Sequence, residues 1–149
     1  MVWNRYRALV AAADRWLDHA FFAAMEVSTL ALPVLLLLLG APPPSETSLA
    51  ALAALVATSA SVATFRGGYL GRGRWPRPGH LGTMAGRAAA YGGVLAAGTY
   101  LGVQAQLLTG AFWTGLFVPA AVAVPTLARL PGVLDRLREL SQREFAALG

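Results

Sequence analysis

Four stretches of this chain, 21–41, 48–65, 88–108 and 112–130, are apolar and almost free of charge. A helix needs roughly 20 such residues to cross a hydrocarbon core about 30 Å thick. The second stretch is the shortest, but it is bounded by Glu46 and Arg66 and can extend by a turn into 67–70. Runs such as Val34-Leu-Leu-Leu-Leu-Leu39 do not alternate, which excludes the strands of a membrane barrel. The pattern predicts an all-α integral membrane protein, a four-helix up-and-down bundle forming one domain over 1–149. Composition agrees: 13% of the residues are charged, against about a quarter in soluble domains.

The connections set the orientation. All twelve basic residues are arginines. They fall in the amino-terminal segment, the loop 66–87 and the tail from Arg129, and none lies in the turns 42–47 and 109–111. Arginine bias of this kind places both termini and the loop 66–87 on the cytoplasmic side of a prokaryotic plasma membrane. Arg5, Arg7 and Arg15 precede an apolar stretch ending in Leu39-Gly-Ala-Pro42, the general order of a secretory leader. That stretch exceeds the roughly 7–15 residues of a leader core and Pro42 follows its small residues, so cleavage is not expected.

Both tails are amphipathic. Trp3, Tyr6, Leu9, Val10, Ala13, Trp16 and Leu17 recur at helical spacing, with Asn4, Arg7, Asp14, Arg15 and Asp18 on other faces. After Pro131 the apolar set is Val133, Leu134, Leu137, Leu140, Phe145 and Leu148. Each tail is expected to form a separate cytoplasmic surface helix, with its apolar face on the bilayer or on a partner. The loop 66–87 combines Arg66, Arg72, Arg74, Arg77 and Arg87 with Trp75. These residues suit contact with anionic lipid headgroups, and the loop's place between two spans argues against nucleic acid.

Helices in lipid associate through close backbone approach at small residues. On the third span, Gly82, Gly86, Ala90, Gly93 and Ala97 form one such row, and Gly98 with Gly102 forms another on an adjacent face. Gly93, Ala97, Gly98 and Gly102 are therefore the expected packing positions, for contacts within the bundle or with a second copy. Ala50, Ala54, Thr58 and Ser61 make a comparable row on the second span. Pro33, Pro119 and Pro125 each remove a backbone donor and predict bends.

Glu26 is the only acidic residue in the four windows. A carboxylate at membrane depth is costly to leave unpartnered. By depth, Ser61, Tyr91 and Thr126 can reach it, and together the four make a candidate polar site. Its placement is similar to that of the membrane glutamate in the first helix of small multidrug transporters, which also have four short helices. That resemblance implies a protonatable coupling residue. The chain differs from those proteins in its strong arginine bias, its length and its amphipathic tails. The other reading is a glutamate satisfied by hydroxyls, or reaching toward Arg87 or water.

Much chemistry is missing. The chain has no cysteine, which excludes thiolate metal sites, and with two histidines, His19 and His80, a site built on several imidazoles is not expected. Asp14 and Asp18 stand without a second acidic pair for Mg²⁺, and no phosphate-binding glycine loop lies between a strand and a helix. No cofactor is expected. The reading is a small non-enzymatic accessory, scaffold or assembly component that packs with itself or with a larger membrane protein. The alternative is a small oligomeric transporter or channel coupled through Glu26.

Overall fold

The computed structural model describes residues 1–70, 75–76, 79 and 81–147; the side chains of 144–147 are not described. The protein is all-helical: among the described residues 89% lie in helices and none in a strand. Among the described residues five helices follow in order: α1 Val2–Leu30, α2 Leu32–Leu39, α3 Pro44–Arg66, α4 Met84–Thr109 and α5 Phe112–Ala147, with a short 3-10 turn at Leu81–Thr83 before α4. The helices over Pro44–Arg66 and Phe112–Arg143 are long and apolar enough to cross a membrane, and α1 with α2 makes a third if the bent pair counts as one span. Helix α4 is long enough, but it is not among the helices apolar enough to count as a span by composition.

Helices α3, α4 and α5 pack on one another, and α1 lies mainly along α3. Contacts at small residues fix the directions. A β-carbon on Gly98 would meet Ala54 and Pro119, and one on Gly102 would meet Ala50 and Pro119. Position rises along α4 as it falls along α3, so the two helices are antiparallel. Gly86 faces Leu134 while Gly115 faces Gln106, so α4 and α5 are antiparallel as well. Ala23, Val27, Ala31, Ala54, Val62, Leu95, Ala123 and Leu127 share one buried core.

Two expectations about the tails and spans are corrected. The amino-terminal segment is not a separate surface helix: it continues into the first apolar stretch as α1, and the break comes at Ala31, where α1 and α2 are bent by 70°. Pro33 accounts for the position, because it cannot donate to the Thr29 carbonyl and its ring crowds that group. Ala31 N–H still bonds Val27 O at 2.9 Å, and Leu35 N–H bonds Ala31 O at 3.0 Å, on either side of the break. Nor does Pro131 begin a new helix. Helix α5 runs unbroken from Phe112 to Ala147 through Pro119, Pro125 and Pro131.

The chain lacks native cysteine, so spin labels can be placed at Leu9 and Leu39 without other changes. If Pro33 causes the bend, Pro33→Ala should lengthen the distance between those labels by about 6 Å, toward the roughly 45 Å of a straight helix. An unchanged distance would assign the bend to the packing of α2 instead.

Candidate functional site

Glu26 lies on the last third of α1, between the buried Ala23 and Val27. This is the part of α1 that faces the core; its first ten residues are exposed throughout. Trp16 Nε1 donates to Thr64 Oγ1 at 3.2 Å, and the His19 and Tyr69 rings meet edge-on at 6.2 Å, so α1 is also tied to the end of α3.

Arg66 is the last residue of α3. The helix closes with Tyr69 N–H on Thr64 O at 3.1 Å and Gly68 N–H on Phe65 O at 3.2 Å. This is a Schellman ending, whose left-handed position is taken by Gly68 at φ 71. Arg87 sits in the first turn of α4 and Tyr91 one turn later, a spacing that puts both on one face.

The three partners converge on Glu26. Oε1 accepts hydrogen bonds from Arg87 Nη1 and from the Tyr91 hydroxyl, the latter at 3.2 Å. Oε2 lies 2.6 Å from Arg66 Nη2. Arg87 is 1% exposed and Tyr91 0%, while the Glu26 side chain keeps 13%. One carboxylate thus holds the end of α3 and the start of α4 against α1. With both oxygens facing guanidinium groups, the cluster works as an ionic clamp and offers no free carboxylate edge to a cation.

Of the four residues expected to form a polar site, the structure brings Glu26 and Tyr91 together. Ser61 is buried but donates to Ala57 O at 2.7 Å within its own helix. Thr126 is exposed and donates to Val122 O at 2.7 Å. Arg66 and Arg87, expected among lipid headgroups, are turned inward to Glu26 instead. Arg66 as a partner of Glu26 was missed. The signal was available: Arg66 and Arg87 close the spans on either side of the loop, at the end where Glu26 enters. Trp75 stacks on Phe65 with ring centroids 5.9 Å apart, and Arg72, Arg74 and Arg77 lie outside the described residues.

The packing positions divide. Gly98 and Gly102 are buried at the junction of α3, α4 and α5, whereas Gly93 and Ala97 are exposed, with open space where a Gly93 β-carbon would be. Sequence reading also passed over Gln106, which lies across Gly115 and donates from Nε2 to Glu46 O at 3.3 Å, joining three helices at the end away from the ion cluster. No group of His, Asp or Glu residues among the described residues is arranged to hold a metal ion.

No curated protein and no solved structure matches this chain. Residues 10–137, most of its length, match a family described as a domain of unknown function, DUF8215, and the chain belongs to that family.

Proposed function

We propose that the protein is a small multi-pass component of the prokaryotic plasma membrane that acts without catalysis, as an accessory or assembly scaffold. In this reading α1 with α2, α3, α4 and α5 supply four spans. Both termini and the loop 66–87 are cytoplasmic, following the arginine bias. The observation that carries it is the continuation of two helices past the packed core. Trp3, Tyr6, Leu9 and Val10 are exposed on α1, and Leu137 and Leu140 on the continuous α5. Rigid helical extensions with apolar stripes suit a partner helix or the cytoplasmic membrane surface. The Glu26 clamp favours this reading over an ion-coupled transporter, since both carboxylate oxygens are already engaged by arginine.

Purification from the native host in mild detergent should recover a stable complex. Deleting 135–149 should remove the co-purifying protein while the truncated chain stays in the membrane fraction. A lone species from the intact chain would overturn the scaffold reading, and cation flux in vesicles containing only the purified protein would replace it with transport.

A further inference from the structure

On the exposed side of α5, Arg129 and Arg136 flank Gly132, with Val133 beside it, around an open cavity of about 360 Å³. Seven residues bring the two arginines to nearly the same face, about 10.5 Å apart along the axis, with Gly132 between them. Neither arginine makes an ion pair or a side-chain hydrogen bond among the described residues. Asp135 and Glu139, the nearby acids on the same helix, do not line the cavity.

Neither backbone conformation nor packing requires a glycine at 132. It lies inside a helix, it is not among the positive-φ glycines Gly68, Gly79 and Gly110, and nothing stands within 4 Å of where its β-carbon would be. A glycine in a helix interior is about 1 kcal/mol less favourable than alanine. What the missing side chain leaves is the floor of the cavity, bare backbone between two arginines. Guanidinium forks without partners suit the oxygens of a phosphate, each contact being charge-assisted. The place of the cavity fits such a ligand. Leu127, Leu130 and Leu134 turn the other side of α5 into the core. The apolar stretch of α5 ends at 130, so its outward face changes from apolar to basic at Arg129, as a span does on entering the headgroup layer of the arginine-rich side.

We propose that Arg129, Gly132 and Arg136 form a site for one phosphate group, carried by an anionic lipid headgroup or by a soluble phosphate. The lipid source rests on the membrane reading above and the soluble source does not; neither depends on a partner protein.

The test uses the full chain, delipidated in a neutral detergent, with thermal unfolding followed at constant ionic strength. Phosphatidylglycerol and inorganic phosphate are titrated separately into the parent and four variants. The parent should gain stability with one of the two probes. Arg129→Gln and Arg136→Gln should each need roughly tenfold more of that probe for half the effect, the loss expected for one charge-assisted contact. Gly132→Leu keeps both arginines and the net charge, and its first side-chain atom meets nothing in the fold. It should lose the response at concentrations that saturate the parent. Arg138→Gln removes the same charge from the opposite face, nine residues or two and a half turns from Arg129, and should respond as the parent does. A response to the lipid alone identifies a headgroup, and a response to inorganic phosphate identifies a soluble ligand. If Gly132→Leu responds like the parent, diffuse attraction to the arginines is enough and the site is overturned. No response to either probe in the parent, or an equal loss in Arg138→Gln and Arg129→Gln, would overturn it as well. Recovery of the parent in the membrane fraction, scored in parallel, tests the membrane reading apart from the site.

Discussion

Glu26→Gln should destabilise the protein by about 3–5 kcal/mol, because it removes the carboxylate that both buried guanidinium groups, Arg66 and Arg87, face. The effect belongs to the cluster rather than to Glu26 as a packing residue, since glutamine is nearly isosteric. Charge arithmetic gives the control. Arg66→Gln keeps the Arg87–Glu26 pair and should cost less than Glu26→Gln, because only one of the two ion pairs is lost. Replacing Glu26, Arg66 and Arg87 together with uncharged residues of similar size should recover most of the stability lost by Glu26→Gln alone. Unfolding midpoints in a detergent titration check all three. A Glu26→Gln variant as stable as the parent would mean that water, and not Glu26, balances the two arginines.

Gly102→Leu should be the second large loss, at about 1–3 kcal/mol or more, by overpacking. Its β-carbon alone would come within 3.1 Å of both Ala50 Cβ and Pro119 Cγ, before any of the leucine branch is placed. Neither neighbour can yield: the alanine has no rotamer to change and the proline ring is fixed to its backbone. The branch would push α3 and α5 apart at a level where all three helices touch. Gly93→Leu on the same helix should change stability by less than about 0.5 kcal/mol, because nothing lies within 4 Å of the added atom. The pair therefore separates a packing role from helix propensity, which is alike at the two positions. Equal losses at Gly93 and Gly102 would count against the arrangement of α3, α4 and α5 described above.

These two contrasts also mark how far the sequence could be read. Helical character was legible throughout, because long apolar runs without alternation have no other economical solution. The break near Pro33 was legible too, since a missing donor acts locally. Which glycine row of α4 faces inward was not. Small residues occur on both faces, and only the register against Ala50, Ala54 and Pro119 selects Gly98 and Gly102. Helix α5 misled for a similar reason. Local rules end or bend a helix at Pro119, Pro125 and Pro131, but two of the three are buried in the bundle, where packing along α3 and α4 keeps the segment helical. Arg66 was assigned to headgroups alone, and Arg87 to headgroups or to Glu26, because arginines flanking a span usually go to the headgroups. The balance of charge around Glu26 is a tertiary property that no single segment displays.

The unbroken α5 has a consequence for the tail. Over 36 residues its helical path measures about 54 Å, seated by Pro119 against Gly98 and Gly102 and by Leu134 against Gly86. With no joint between those seats and the exposed tail, the direction in which Leu137 and Leu140 point is a matter of phase, set by a screw whose pitch is that of the helix itself. Each residue gained or lost between the seat and the tail turns the apolar stripe by about 100° and moves it about 1.5 Å along the axis. Length in this segment is thus equivalent to angle.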